Sequence, residues 1–138
     1  MSSNREIARA YLEDAEYSFM EALAAFNKGR YHRAIRRMQE AVELSLKALL
    51  RYLGIEYPKA HDVSMALYKF KDVLPDVLRE KLDFISKVSL DLALNRAPAF
   101  YGDEERMIPP KLLYDKSYAE EKLKQVNEIL TLIKSLIK

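Results

Sequence analysis

The amino-acid sequence predicts an all-α fold, an antiparallel up-and-down bundle of four to five helices that forms one domain over residues 1–138. Apolar residues recur at every third or fourth position through most of the chain, which is the spacing of helices with one buried face. Only three glycines are present, too few for strands joined by tight turns. Hydrophobic residues make up 49% of the chain, enough for one domain to bury a core.

The segment from Gly29 to Gly54 is predicted to be the central helix. Gly54 stands where a left-handed cap would end this helix. An apolar stripe marks one face and consists of Tyr31, Ile35, Met38, Val42, Leu46, Leu49 and Leu53. A second stripe of small residues would let another helix approach closely and consists of Ala34, Ala41, Ser45 and Ala48. The second stripe suits either the core of one subunit or the interface of a homodimer.

The first helix is predicted from a capping box, in which Ser3 and Glu6 have the S-x-x-E spacing. Apolar periodicity continues to about Asn27, where we expect the helix to end. Only two residues connect it to the central helix, so the two helices should be antiparallel neighbours. The exposed face of the first helix is acidic and carries Glu13, Asp14, Glu16 and Glu21.

The second half of the chain is predicted to hold the remaining helices. Periodic segments place two of them at about 62–74 and about 76–95. A second capping box, formed by Ser117 and Glu120, predicts the start of the last helix. Residues 96–111 hold three of the five prolines and are predicted to be a loop, with Arg96 ending the helix before it.

The composition argues against several function classes. Cysteine is absent, so the chain forms neither a disulfide framework nor a thiolate metal site, and this fits a cytoplasmic protein. Two isolated histidines make no metal-ligand motif, and we expect no metal. The sequence contains no Walker loop and no dinucleotide-binding glycine motif. No apolar run is long enough to span a membrane, and the N-terminal residues lack a signal-peptide core, so no membrane association is expected.

Positive charge is concentrated at the start of the central helix, although the net charge is only +2. The cluster includes His32 and consists otherwise of Lys28, Arg30, Arg33, Arg36 and Arg37. Cations at this end oppose the helix dipole, so something should offset their cost. One interpretation is neutralisation by the acidic face of the first helix. The other is contact with an acidic partner or a phosphate backbone.

Three further side-chain pairs have both a structural and a functional interpretation. Glu43 and Lys47 have the favourable i,i+4 order of a helix-surface ion pair. His61 and Asp62 form either a general-base pair or a helix entry, in which the aspartate caps and the histidine packs. Arg96 and Tyr101 suit phosphate and base contacts, or else the end of a helix and a packed aromatic loop. No sequence feature brings His61 close to Arg96.

Several segments, taken together, resemble the HEPN (higher eukaryotes and prokaryotes nucleotide-binding) domain family. The central GRYHRAIRRMQEAVELSLKALLRYLG resembles the core motif of the family, and AVELSLKALL is its most specific part. The segment AHDVSMAL at 60–67 resembles the entry to the third helix, and RAPAFYGDEE at 96–105 resembles the loop from arginine to tyrosine before the last helix. The resemblance covers nearly the whole chain in the family's order.

The resemblance implies a helical bundle that is usually a homodimer. Many members are metal-independent ribonucleases or toxins, often paired with a small nucleotidyltransferase. Their catalytic motif is an arginine, four to six residues, and a histidine. Arg96 matches the arginine, but the histidine position falls among Tyr101 to Asp103, and no histidine follows His61. A tyrosine is a poor general base at neutral pH because its pKa lies near 10.

We therefore interpret the chain as a nucleotide- or RNA-binding module that acts with a nucleotidyltransferase partner in a toxin–antitoxin-like pair. Its candidate binding residues are Arg33, Arg36, Arg37, Arg96, Tyr101 and Asp103. The alternatives are a ribonuclease with a degenerate motif, for which the candidate residues are Arg96, Tyr101 and His61, and a dimer that serves only protein interaction. No cofactor is predicted with certainty, and a bound nucleotide is a candidate ligand.

Overall fold

The computed structural model describes residues 3–138, which form six α-helices and no β-strand in that range. The helices are α1 (Asn4–Asn27), α2 (Tyr31–Tyr52), α3 (Ser64–Lys69), α4 (Asp76–Arg79), α5 (Leu82–Tyr101) and α6 (Lys116–Leu136). Their buried apolar side chains form one contiguous core cluster. The predicted all-α fold is confirmed. Across residues 3–138, no helix has the length and apolar character needed to cross a membrane.

Helix α1 begins where the capping box predicted. The Ser3 hydroxyl accepts the Glu6 backbone N–H at 3.2 Å and donates to the Glu6 carboxylate at 3.2 Å. The helix ends at Asn27, and Gly29 turns the chain with a φ of +72°. This short turn returns the chain antiparallel, so α1 and α2 pack along their length.

Helix α2 is the central helix, and it packs against α1, α5 and α6. Gly54 has a φ of +71° after the last turn, which is the left-handed cap that the sequence predicted. Each member of the small-residue stripe is fully buried: Ala34, Ala41, Ser45 and Ala48. The stripe therefore lies inside the core of one chain and offers no surface to a second copy.

Helix α3 is shorter than predicted. It covers Ser64–Lys69 and is followed by a 3-10 turn at Lys71–Val73. Leu74 precedes Pro75 and is extended, with a ψ of 148°, because proline disfavours a helical conformation in the residue before it. The α-helix therefore ends several residues before the predicted boundary.

Asp62 stabilises the entry to α3 from one residue outside the predicted position, since Val63 occupies the N-cap. The Asp62 carboxylate accepts the Ser64 N–H at 3.0 Å and the Ser64 hydroxyl at 2.7 Å. It also accepts the Ser89 hydroxyl of α5 at 2.8 Å. Asp62 thus joins α3 to α5. None of these three hydrogen bonds involves the imidazole of His61.

The predicted fourth helix is two helices, α4 and α5, which are separated by a break at Lys81. Helix α5 then continues through Arg96 and Pro98 to Tyr101, so the prediction that residues 96–101 form a loop is wrong. Pro98 removes one backbone donor, but the next turn still forms because Gly102 N–H donates to Pro98 O at 2.8 Å. Arg96 therefore projects from a regular helix.

The N-cap of helix α6 lies two residues before the predicted capping box. The Asp115 carboxylate, at the N-cap, accepts the Tyr118 N–H at 2.8 Å, and Ser117 lies within the first turn. The apolar residues predicted for this helix are all buried: Ala119, Leu123, Val126, Leu130, Ile133 and Ile137. The capping-box prediction at Ser117 and Glu120 is therefore wrong, while the buried face is confirmed.

A polar network fastens α6 and its preceding loop to α5. Tyr118 donates its hydroxyl to Asp91, and Lys122 Nζ lies 2.9 Å from the same carboxylate. Tyr114 donates to Asn95 Oδ1 at 2.8 Å. Burial and the nearby Asp91 raise the pKa of Tyr114 to about 12, so its hydroxyl remains a donor at neutral pH. This network holds the half of α5 that carries Arg96.

Candidate functional site

A buried glutamine of α2 connects the elements that carry the predicted site residues. Gln39 is 2% exposed. Its Oε1 accepts Arg96 Nη1 of α5 at 2.9 Å. Its Nε2 donates to Glu43 Oε1 at 2.9 Å and to the backbone oxygen of His61 at 3.3 Å. One side chain thus ties α2, α5 and the segment before α3 together.

The carboxylate of Glu43 contacts two basic side chains. His61 Nδ1 lies 2.7 Å from Glu43 Oε1, and Lys47 Nζ lies 2.9 Å from Glu43 Oε2. The second contact is the predicted i,i+4 pair. Burial raises the pKa of Glu43, but the hydrogen bonds from Lys47, Gln39 and His61 outweigh burial and lower it overall. Glu43 is therefore a carboxylate at neutral pH.

The position of His61 differs from the packed position that the structural interpretation of the sequence predicts. Its side chain is 54% exposed rather than packed, and its partner is Glu43 rather than Asp62. The bond at Nδ1 leaves Nε2 as the ring nitrogen available to a ligand. The arrangement is that of an imidazole oriented by a carboxylate, which is suited to proton transfer.

Four arginines line a cleft that also contains Phe100. The Arg36 guanidinium carbon lies 3.7 Å from the ring centroid, and that of Arg96 lies 5.3 Å from it. These three residues, with Arg33, Arg37 and Glu40, line a cleft of about 180 Å³, which we call the arginine cleft. Phe100 therefore acts as a shared surface on which two guanidinium groups stack.

The arginine cleft carries more positive charge than its neighbours neutralise. Arg37 pairs with Glu40 at 3.1 Å and reaches Glu21 of α1 at 3.9 Å. Within residues 3–138, neither Arg33 nor Arg36 has a carboxylate within 4.0 Å, and the buried Nε of Arg36 has no acceptor. Burial, together with Arg33 and Arg37, lowers the pKa of Arg36. The acidic face of α1 thus neutralises only part of the cluster.

A second groove adjoins the arginine cleft and brings His61 and Arg96 together. Both side chains line it with Phe100 and Tyr101, and its volume is about 280 Å³. Because Arg96 and Phe100 border both cavities, the cleft and the groove form one continuous surface. Tyr101 is 68% exposed at its edge. We call this second cavity the His61 groove.

Asp103 is the predicted site residue that the structure places elsewhere. Arg106 Nε lies 2.8 Å from its carboxylate, and the Arg106 N–H donates to it at 3.1 Å. Asp103 also bridges to Ile108 in the turn after α5. The hydrogen bonds from Arg106 lower the pKa of Asp103. Its role is to close this turn, and it lines neither the cleft nor the groove.

Two residues of the site were missed at the sequence level. Phe100 lies four residues after Arg96 and would have been placed on the same helix face if α5 had been predicted to pass Pro98. Gln39 lies four residues before Glu43, so the spacing predicts that these two polar side chains lie on the same face of α2. Within residues 3–138, no group of three His, Asp or Glu side chains is arranged to hold a metal ion.

The profile of the HEPN domain matches residues 8–136 of the chain. The chain belongs to the HEPN family. Its fold is similar to the crystal structure of ST0689, an archaeal HEPN homologue, with a TM-score of 0.73 and 25% identity over 100% of both chains. It is also similar to the crystal structure of TT1696 from Thermus thermophilus, with a TM-score of 0.71 and 27% identity over 93% of this chain and 96% of the other. No curated protein matches it.

This HEPN chain has no histidine at the position that the ribonuclease motif places after its arginine. After Arg96, the expected position falls at the end of α5 and in the following turn, among Tyr101, Gly102 and Asp103. The only histidine beside Arg96 in the described part of the chain comes from the segment before α3. His61 therefore lines the groove of Arg96 from the segment before α3, and not from the residues that follow Arg96 in the chain.

Proposed function

We propose that this HEPN protein is an RNA-binding module whose arginine cleft holds backbone phosphates. The observation that carries the proposal is that Arg36 and Arg96 stack on the same ring, that of Phe100. Their guanidinium carbons lie 3.7 and 5.3 Å from its centroid. Burial, Arg33 and Arg37 lower the pKa of Arg36, and the positive charge of Arg96 lowers it further, so these two stacked cations repel each other. The buried Nε of Arg36 also lacks an acceptor within residues 3–138. A phosphate would supply both the negative charge and the acceptor, since guanidinium groups bind phosphate bidentately.

The size of the cleft favours a polymer over a free nucleotide. At about 180 Å³, the cleft is smaller than the ~300–1,000 Å³ of pockets that enclose small molecules. A single phosphate group fits, and the rest of a chain can continue across the adjoining His61 groove. The exposed ring of Tyr101 at that edge provides a stacking surface for an unpaired base. The preference for RNA over DNA rests on the family resemblance.

Fluorescence anisotropy with a labelled single-stranded RNA of about 12 nucleotides tests this proposal. We expect binding that weakens steeply between about 50 and 200 mM salt, because phosphate contacts release counterions. Arg36→Met and Arg96→Met should each weaken binding, while Lys124→Met, which removes an exposed cation of α6, should not. A DNA strand of the same sequence and adenosine nucleotides serve as competitors. Equal RNA binding by Arg36→Met and wild type would refute the role of the cleft.

Metal-independent RNA cleavage is the second candidate function, and the position of His61 in the groove of Arg96 favours it. Glu43 orients the imidazole through Nδ1, so Nε2 could accept the proton of a ribose 2′-hydroxyl while Arg96 holds the neighbouring phosphate. The oxygen O2′ would attack phosphorus, the P–O5′ bond would break, and a proton from solvent would complete the 5′-hydroxyl.

A cleavage assay without metal distinguishes this function from binding alone. We expect a 2′,3′-cyclic phosphate product that disappears in His61→Ala and in Arg96→Ala. If the wild type binds RNA without cleaving it, the cleavage function is rejected and only the binding function stands. Cleavage that persists in His61→Ala would reject this histidine as the base.

A homodimer is also part of the proposal, although the small-residue stripe no longer supports it. An exposed apolar stripe on α5 takes its place, consisting of Leu90, Leu94, Ala97 and Tyr101. The stripe lies beside the His61 groove, so pairing of two copies through α5 would bring two such grooves together. Light scattering should give twice the chain mass of 16.1 kDa, and a monomer at micromolar concentration would reject the dimer.

A small nucleotidyltransferase as the protein partner, in a toxin–antitoxin-like pair, is proposed from the family resemblance alone. Mixing the two purified proteins and following their co-elution is the direct test. Failure of a nucleotidyltransferase encoded beside this chain to co-elute would count against it.

A further inference from the structure

A third groove lies where α2 ends beside the start of α1. Its volume is about 740 Å³, and it shares no lining residue with the arginine cleft or the His61 groove. Tyr11 of α1 borders one side, and Lys47 and Arg51 of α2 border the floor. Tyr57 and Lys59 of the segment before α3 close the other side. We call this cavity the Tyr57 groove.

The Tyr57 groove carries excess positive charge. Arg51 and Lys59 line it against one carboxylate, Glu56, while the third lining cation, Lys47, is paired with Glu43 at 2.9 Å. Within residues 3–138, Arg51 has no carboxylate within 4.0 Å, and its buried Nε has no acceptor. A buried donor left unpaired is costly, and the cost falls when a ligand oxygen accepts from it.

Aromatic surface lies next to these cations. The Lys47 ammonium is 5.7 Å from the centroid of the half-buried Tyr57 ring. Burial and the nearby Tyr11 raise the pKa of Tyr57, although Arg51 opposes them, so the Tyr57 hydroxyl stays protonated at neutral pH. Apolar side chains of Leu44 and Ile55 continue the same wall. The groove therefore combines anion donors with a surface for a flat organic group.

We propose that the Tyr57 groove binds a small phosphate monoester with a flat organic body. The phosphate oxygens accept hydrogen bonds from Arg51 and Lys59, and the organic body lies against Tyr57 and Leu44. Arginine grips phosphate through two parallel N–H groups, which gives the unpaired Nε of Arg51 an acceptor. The volume of about 740 Å³ falls within the range of small-molecule pockets, in contrast to the arginine cleft. This site is separate from the RNA surface and goes beyond it.

Nuclear magnetic resonance titration of the full chain with phenyl phosphate tests the proposal. Phenol, which lacks the anion, and inorganic phosphate, which lacks the ring, are the matched probes. We expect saturable shifts of the amides at Ile55 and Tyr57 with phenyl phosphate, and weaker binding of both fragments. Arg51→Met keeps the length of the side chain and should weaken binding about tenfold or more.

The controls separate this site from the RNA surface. Lys59→Met lies on an exposed segment, so it tests the phosphate contact without disturbing the core. Arg36→Met should leave the affinity for phenyl phosphate unchanged even though it weakens RNA binding. The proposal is overturned if both Arg51→Met and Lys59→Met bind phenyl phosphate as the wild type does. It is also overturned if the shifts centre on Arg96 and Phe100, or if no shift saturates.

Discussion

Arg96 donates a hydrogen bond of 2.9 Å from Nη1 to the buried Oε1 of Gln39. The two residues lie 57 positions apart in the sequence, so this bond fixes the position of α5 relative to α2 at the site. The same glutamine binds Glu43 and the backbone of His61 through its amide nitrogen. The geometry of the proposed RNA-binding surface therefore depends on one buried neutral side chain, which lines neither the arginine cleft nor the His61 groove.

Gln39→Leu should destabilise the fold although leucine fills a similar volume. The substitution leaves Arg96 Nη1 and the oxygens of Glu43 and His61 without their buried partner, which typically costs about 1–3 kcal/mol of unfolding free energy. Urea denaturation measures the change. Gln125→Leu is the matched control, because within residues 3–138 Gln125 bonds to Lys122 and Glu121 of its own helix and to no other side chain. Similar losses in the two variants would contradict the importance of the Gln39 network.

The ring of Phe100 and the charge of Arg36 should contribute to RNA binding in different ways. Phe100→Leu removes the stacking surface but keeps every cation, so we expect weaker binding with an unchanged salt slope. Arg36→Met removes one phosphate contact and should reduce the slope of log affinity against log salt by about 1.

Anisotropy titrations over a salt series separate these two effects. Phe84→Leu, which changes an aromatic residue near the other end of α5, is the control and should bind RNA as the wild type does. A salt slope reduced in Phe100→Leu as far as in Arg36→Met would contradict the prediction that the cations keep their phosphate contacts without the ring.

The stability of the fold should depend on pH through Glu43. Hydrogen bonds lower the pKa of Glu43 from its ordinary value of 4.5, so the folded state favours the charged form. This contribution is fully present above pH 4.5 and is lost as the pH falls through the folded pKa. Glu43→Gln should therefore differ most from the wild type near neutral pH, and the difference should shrink in acid.

Urea denaturation from neutral pH downward measures this dependence. Glu120→Gln changes an exposed carboxylate of α6 and is the matched control. A difference between Glu43→Gln and wild type that grows as the pH falls would contradict the sign of the predicted effect.

Gly102 should tolerate alanine less well than Gly54. Both have a positive φ, +76° and +71°, which costs a residue with a Cβ about 1–3 kcal/mol. A Cβ at Gly102 would also lie 2.1 Å from the backbone oxygen of Ile108, whereas nothing lies within 4 Å at Gly54. Thermal or urea unfolding should show the larger loss for Gly102→Ala. Equal losses would mean that the turn after α5 shifts freely.

Much of the fold could be predicted from the sequence because it depends on local periodicity. The two stripes of α2 and the buried face of α6 follow from spacing alone, and Ser3 was found from its cap. The course of α5 through Pro98 could not be predicted in this way. A proline costs one hydrogen bond, and tertiary packing of Ala99 and the network at Tyr114 and Asn95 decides whether the helix continues.

Only the positive charges of the candidate site could be predicted from the sequence. The arginines of α2 are adjacent in sequence, so their concentration is visible without a structure. The meeting of His61 and Arg96 depends on bonds that Gln39 makes to two distant segments, and spacing carries no information about such contacts. The place of Asp103 outside the cleft and the groove could not be predicted because its partner Arg106 lies in a turn that the sequence did not reveal.

The carboxylate of Glu43 serves residues on two separate surfaces, since Lys47 lines the Tyr57 groove and His61 lines the groove of Arg96. An anion that draws Lys47 away from Glu43 leaves this carboxylate to the hydrogen bonds of Gln39 and His61 alone. Reciprocity then requires that a ligand bound beside His61 change the affinity for that anion by the same factor. Occupancy of one groove and occupancy of the other are therefore two measures of a single coupling free energy.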